Sequence, residues 1–194
     1  MSDTSVAGQK KKLRDQLKSL RAELSESDYT EKSKQVVRNI EGSAYYKESS
    51  TIHSFIPILR RREVNIEPLL SKAIQNGKRV VCPKMKFESN VMYHYQVDAL
   101  EELIPNGWGI REPKPDIPVE VASIDMVLVP MLGGDRSLRR IGYGKGYYDR
   151  FLNQVDGYKV GVLFHEAVLP ARSIPVEPHD VRLDAIVTDK EIIS

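Results

Sequence analysis

The stretch Asp125-Met126-Val127-Leu128-Val129-Pro130 decides the fold. Its unbroken apolar run leaves a strand no solvent face, so it must be covered on both sides, as the inner strands of a parallel sheet are. Upstream of it, Thr51 to Ile56 reads as a first strand and Arg79-Val80-Val81-Cys82 as a short apolar one. Val91 to Gln96 reads as a strand with aromatic alternation. Downstream, Lys159 to Phe164 and Asp184 to Val187 read as two more. Helical patterns lie between and before these strands. Leu13, Leu17, Leu20 and Leu24 form one stripe of an amphipathic helix. Ser25-Glu26-Ser27-Asp28 reads as a capping box opening a helix through Val36, Val37 and Ile40. Asn65 is placed to cap a helix carrying Leu69, Leu70 and Ala73, with Gly77 as its stop, and a further helix is expected from Tyr147 to about Val155. Strands alternating with helices imply an α/β fold, a largely parallel sheet with helices on both faces. Ligands of such sheets bind beyond the carboxyl ends of strands, and the loop after Val129 lies at such an end.

A chain of 194 residues is expected to form one domain, residues 1–194. With 41% hydrophobic and 29% charged residues its composition is that of a globular protein rather than a disordered one. The longest apolar run, Met126 to Leu132, falls far short of the roughly 18 residues of a membrane span, and the lysine-rich start does not read as a secretory signal. Cys82 is the sole cysteine, which excludes an intramolecular disulfide and argues against a cysteine-based zinc site. A cytoplasmic protein with no membrane partner is the expectation.

The net charge of +2 is unevenly placed. Lys10, Lys11, Lys12, Arg14, Lys18 and Arg21 outnumber three acids within residues 1–24, and Arg136, Arg139, Arg140, Lys145 and Arg150 outnumber two within residues 135–150. Two compact basic segments on an acidic background suit a small polyanion better than a nucleic acid, which calls for a broad basic face.

Arg140-Ile141-Gly142-Tyr143-Gly144-Lys145-Gly146-Tyr147-Tyr148-Asp149 is the richest of these segments. Its alternating glycines let backbone N–H groups approach an anion, while Arg140 and Lys145 supply neutralising charge. It is neither a Walker A loop nor a dinucleotide fingerprint. By spacing alone it also fits a flexible glycine turn with solvated charges. Lys10 and Arg14 lie one helical turn apart, with Leu13 pointing inward. They are placed either to grip a triphosphate or to sit solvated on an amphipathic face. Pro175-Val176-Glu177-Pro178-His179-Asp180-Val181-Arg182-Leu183-Asp184 is dense in titratable groups. Asp149 and Asp184 are candidates to share a hard divalent cation, His179 fits a structural histidine equally well, and Asp180 fits a turn cap. His53, His94 and His165 show no metal-ligand spacing. Trp108, between Gly107 and Gly109, suits either a planar ligand or loop anchoring, and Glu63 follows a basic run at Arg60-Arg61-Arg62.

Taken together and in order, Lys10-x-x-Leu13-Arg14, the stretch from Asp135 through Arg140 to Arg150, and Pro175 through Asp184 resemble the 5-formyltetrahydrofolate cyclo-ligase (5,10-methenyltetrahydrofolate synthetase) family. The resemblance runs over nearly the whole chain, including Gly109-Ile110-Arg111-Glu112-Pro113, and its central motif is the most specific part. The resemblance implies a three-layer α/β/α fold with a mostly parallel sheet, of the NagB/RpiA/CoA-transferase-like kind. It implies ATP- and Mg2+-dependent closure of 5-formyltetrahydrofolate to 5,10-methenyltetrahydrofolate. Carried onto this chain, Lys10, Lys11, Lys12, Leu13 and Arg14 with Arg140, Ile141, Gly142, Tyr143, Gly144, Lys145, Gly146, Tyr147 and Tyr148 would bind ATP. Arg140, Lys145 and Tyr148 would act in catalysis, and Asp149 and Asp184 would hold Mg2+. Ile58, Glu63, Trp108 and Tyr148 would contact the folate. The chain departs from the family pattern at Gly134, where an aromatic is usual, at Leu138-Arg139, where glycine is common, and after Phe164, where a glutamine is frequent. Two rival functions remain: a cyclo-ligase-like binding module without catalysis, and another small-molecule phosphoryl-transfer enzyme lacking the contacts near Glu63. Spacing does not fix the oligomeric state, monomer or homodimer.

Overall fold

A computed structural model describes residues 5–86, 91–107 and 109–194 of the chain. The α-helices among these residues are α1 (Val6–Ala22), α2 (Glu26–Gly42), α3 (Ala44–Glu48), α4 (Glu67–Gln75) and α5 (Tyr147–Leu152). The strands, in chain order, are β1 (Thr51–Ser54), β2 (Arg79–Lys86), β3 (Val91–Gln96), β4 (Ile104–Pro105), β5 (Arg111–Glu112), β6 (Met126–Pro130), β7 (Gly133–Asp135), β8 (Arg140–Ile141), β9 (Tyr158–Val162), β10 (Val168–Leu169), β11 (Ala185–Val187) and β12 (Ile192–Ile193).

Seven of these make the central sheet, in the order β12-β11-β9-β6-β1-β2-β3. The five inner strands run parallel, while β12 and β3 are antiparallel edges. The apolar run at Met126–Pro130 lies at the centre between β9 and β1, as its sequence demanded. Alternation along β6 feeds two cores. Met126 and Leu128 join Val36, Ile40, Leu69, Leu70 and Ala73 on the α2/α4 side, and Val127 and Val129 join Leu17, Phe151 and Leu152 on the α1/α5 side. The result is the expected helix–sheet–helix layering.

Local signals explain most boundaries. Ser25 Oγ accepts the N–H of Asp28 at 3.0 Å and opens α2. Asn65 Oδ1 accepts the N–H of Glu67 at 3.2 Å just ahead of α4. The first strand stops at Ser54, two residues short of expectation, where the chain leaves the sheet toward Pro57. Conversely, β2 runs on to Lys86 because it pairs with β3 from Val81↔Gln96 to Lys86↔Val91. Helix α5 closes at Leu152 rather than near Val155, its end tightening into a turn in which Val155 N–H bonds Leu152 C=O at 3.4 Å.

The small sheet β10-β7-β8 had no sequence signal, since its strands are only two or three residues long, too short to show a period. It shapes the loop that leads into Arg140. Asp135 anchors it: the fully buried carboxylate accepts the N–H groups of Ser137 (2.9 Å), Arg139 (3.2 Å) and Ile174 (3.1 Å). Gly134 departs from the family pattern for a steric reason, because a Cβ there would lie 2.4 Å from Met131 Cε and 2.8 Å from Ile186 Cδ1. Leu138 takes the left-handed conformation (φ 63°) that favours glycine. Its side chain is buried in the α1/α5 core, which offsets that strain.

Candidate active site

The strand order reverses at β1, with β2 on one side and β6 on the other, and two cavities open at the carboxyl ends of these strands. The first, of about 190 Å3, is lined by Lys10 and Arg14 of α1, by residues 140–149, and by Met85, Pro130 and Asp180. The two basic segments, far apart in sequence, therefore converge. Arg14 Nε donates to the carbonyl of Gly142 at 3.0 Å, and its guanidinium packs on Gly144. At Gly144 the backbone has φ 88°, which strains any side chain, and a Cβ 2.9 Å from Arg14 Cζ would also push the guanidinium aside.

Arg140 is nearly buried beside Asp149, with Nη2 donating to Asp149 Oδ1 at 2.6 Å. Burial pushes the Arg140 guanidinium down from its usual value, opposed by the charges of Asp149 and Asp180. Its Nε has no hydrogen-bond partner among the described residues, nor does the buried hydroxyl of Tyr148. A buried guanidinium N–H and a buried phenol left unmatched at one cavity fit a ligand that brings oxygen acceptors, as a phosphate does.

Lys10 is 5% exposed, not solvated as an amphipathic-helix lysine would be. Its ammonium donates to Glu177 Oε2 at 2.7 Å and Asp180 Oδ2 at 2.5 Å. Burial alone would lower its pKa, but the bonds to Asp180 and Glu177 overcome that and raise it. Asp180 also accepts the N–H of Glu177 at 2.7 Å, so it caps its turn and pairs with Lys10 together. Lys11 and Lys12 are exposed, Leu13 packs against the α1/α5 core, and none of the three lines the cavity.

The expected cation pair is not brought to one wall. Asp149 lies on the phosphate cavity, where it accepts from Arg140 and from the N–H of Val181 at 3.3 Å. Asp184 precedes β11 at the amino end of that strand, and its exposed carboxylate accepts the N–H of Lys159 at 2.7 Å. The acid that reaches the cavity wall from this segment is Asp180, a residue that sequence reading assigned only a turn. Glu177, His179 and Asp180 do cluster, but Lys10 already neutralises two of them.

The second cavity, also about 190 Å3, lies behind the same tyrosines. Phe55, Ile56, Ile58, Met85 and Ile110 give it an apolar lining, while Tyr143, Tyr147 and Tyr148 line both cavities. Glu63 is its buried carboxylate, 6% exposed. Its Oε2 accepts the N–H of Ile58 at 2.9 Å and its Oε1 accepts the hydroxyl of Tyr143 at 3.1 Å. Ile58 and Glu63, expected to lie together at one ligand, line the same cavity. Trp108 lies outside the described residues.

The fold and site define a class of α/β protein, one with a cationic glycine loop at its switch point joined through three tyrosines to an apolar pocket holding one carboxylate. Comparison with known proteins narrows it. The model of the 5-formyltetrahydrofolate cyclo-ligase family matches residues 6–189. The 5-formyltetrahydrofolate cyclo-ligase of Mus musculus is 30% identical over 96% of this chain and 97% of its own length. A probable 5-formyltetrahydrofolate cyclo-ligase of Schizosaccharomyces pombe is 35% identical over 69% of this chain and 72% of its own. The structure of Aquifex aeolicus 5,10-methenyltetrahydrofolate synthetase superposes with a TM-score of 0.82 at 32% identity, covering 94% of this chain and 91% of that one. The chain belongs to the 5-formyltetrahydrofolate cyclo-ligase family, whose members are ligases.

Proposed function

We propose that this chain, acting as one catalytic domain over residues 1–194, closes 5-formyltetrahydrofolate to 5,10-methenyltetrahydrofolate with Mg2+ and ATP, releasing ADP and phosphate. The observation that carries this reading is the shared wall of Tyr143, Tyr147 and Tyr148 between the cationic loop and the Glu63 pocket. A formyl group in the second cavity and a terminal phosphate in the first would meet across it.

The chemistry needs such a junction. A formamide carbonyl is a poor electrophile toward the neighbouring amine N10. Attack of the formyl oxygen on the γ-phosphorus forms an O–P bond and breaks the bond to ADP. N10 then adds to the formyl carbon and gives up its proton, and the C–O bond breaks with loss of phosphate. Catalysis of both steps is largely a matter of positioning and of stabilising negative charge. Arg140, with Lys145 on the exposed rim, would supply the opposing positive charge, and the hydroxyl of Tyr148, which has no partner among the described residues, would donate at the junction. Lys10, Arg14 and the Gly142–Gly146 backbone would orient the polyphosphate, Arg14 by fixing the carbonyl of Gly142. Glu63 would accept N–H groups of the pterin while Ile58 packs on its ring.

Asp149 is a hard oxygen donor on the phosphate wall, which fits Mg2+, an ion that takes one or two carboxylates and fills its shell with phosphate oxygens and water. When bound there, Mg2+ neutralises charge on the phosphates. Asp184 stands away from that wall, so Asp149 is the carboxylate this reading gives the ion. Outside the second cavity, Lys18, Arg21, Arg60, Arg61 and Arg62 surround an open groove, a setting suited to the carboxylates of a folate's glutamate end. Both cavities are built from one chain, which suits a monomer as well as a homodimer. No helix among the described residues is long and apolar enough to cross a membrane, and the buried thiol of Cys82 fits the cytoplasmic setting that this reading takes.

Incubation with Mg2+, ATP and 5-formyltetrahydrofolate tests the proposal through the near-ultraviolet absorbance of the methenyl product. Product formed without ATP, or ATP hydrolysed without product, defeats it.

A further inference from the structure

Tyr143 occupies a position that the phosphate loop does not require. It stands between Gly142 and Gly144, and its ring forms part of the wall of the phosphate cavity, the Glu63 cavity and the cationic groove. Its hydroxyl donates to Glu63 Oε1 at 3.1 Å and accepts from Arg21 Nη2 at 2.6 Å. The guanidinium of Arg61 lies 5.3 Å from the ring centroid, and that of Arg21 lies 5.9 Å from it. Glu63 is thereby held at both oxygens, by Ile58 N–H on one side and Tyr143 on the other.

We propose that Tyr143 is a positioning residue that makes nucleotide and folate binding favour one another. The inference rests on the functional reading above. A pterin offers adjacent N–H donors, and a buried carboxylate receives them best with both oxygens available. In the structure Tyr143 holds Oε1. Polyphosphate bound to the backbone of residues 142–146 re-aims the loop that carries Tyr143. The hydroxyl leaves Glu63 and stays with Arg21, and Oε1 is released to the folate. Each ligand thus favours the arrangement that the other needs, and by linkage the effect is reciprocal.

Calorimetric titration of 5-formyltetrahydrofolate, with and without Mg2+ and β,γ-imido-ATP, tests this in the wild type and in Tyr143→Phe. In the wild type the nucleotide analogue tightens folate binding at least about 5-fold, and folate tightens the analogue by the same factor. In Tyr143→Phe, folate alone binds nearly as tightly as it does to the wild type with nucleotide, and the factor falls to about 1. A ring that merely packed would not tighten folate when its hydroxyl is removed. A wild-type factor of 1, or an unchanged factor in Tyr143→Phe, overturns the inference while leaving the functional reading standing. Failure of the wild type to bind either ligand overturns both. Tyr143 is on the exposed side of its loop, so the variant is expected to fold.

Discussion

The two faces of the central sheet are built on different principles. On the α2/α4 face, Val36, Ile40, Leu69, Leu70 and Ala73 are fully buried against Ile52, Met126 and Leu128, and the buried polar side chains of α2 and its cap, Ser33 and Ser43, are uncharged hydroxyls. The α1/α5 face also has an apolar centre, but buried polar groups penetrate it: Lys10 against Glu177 and Asp180, Asp135 among backbone N–H groups, and His53 beside His94. The first face holds the protein together. The second exchanges some of that cohesion for the means to aim α1, α5 and the glycine loop at a common point. Buried polar groups stabilise only when matched, so they sharpen geometry more than they add free energy.

Substitutions separate the faces. Leu70→Ala on the α2/α4 face should cost about 4 kcal/mol in urea unfolding, because a fully buried leucine leaves a cavity, while the folded fraction keeps its turnover. Equal loss of turnover per folded molecule would show that this face also tunes the site. Arg140→Ala on the other side should lower kcat/KM by roughly 10²–10³, about 3–4 kcal/mol of transition-state stabilisation, with a smaller change in unfolding free energy. Unchanged kinetics would remove Arg140 from the phosphate.

Acid should act through the same polar face. His53 Nε2 and His94 Nδ1 are 3.1 Å apart, and both rings pack on Phe151 of α5. Burial lowers His94 to about 4 and, with the charge of His94 added, holds His53 well below its usual value. Between pH 6.5 and about 4 the unfolded chain takes up protons that the folded chain refuses, so stability falls as pH drops through that window. For His94 the loss reaches about 3 kcal/mol. Urea unfolding at pH 7.5 and 4.5 measures it, and the double variant His53→Phe/His94→Phe should flatten the dependence there. A slope that survives would assign it to carboxylates instead. The smallest effect belongs to the surface: Arg136→Ala removes a solvent-screened pair with Glu191 and should leave the urea midpoint almost unchanged.

Legibility in the sequence followed the same division. Amphipathic stripes, the capping box at Ser25 and the apolar run in β6 are local or periodic, so the strands, the helices and their layering could be read directly. Local sequence does not encode a strand partner, which is why β2 ran past Cys82 and the two- and three-residue strands around Asp135 gave no signal. In the site, the motif at 140–149 and the pair Ile58 and Glu63 were legible through resemblance. The bond of Tyr143 to Glu63 was not, because nothing in the chain between two residues 80 positions apart marks it.

By itself the sequence determined an α/β protein of the cyclo-ligase type with a cationic glycine loop and a basic first helix. Composition and periodicity are properties of residues near one another and sufficed for the α/β class, while the cyclo-ligase type rested on the resemblance of three motifs in order. Only the tertiary structure decided that Lys10 is buried against Glu177 and Asp180, that Asp184 caps Lys159 instead of facing Asp149, and that Tyr143 joins the two cavities. These contacts span from 25 to 170 residues, and a carboxylate or an ammonium takes the partner that folding brings within reach.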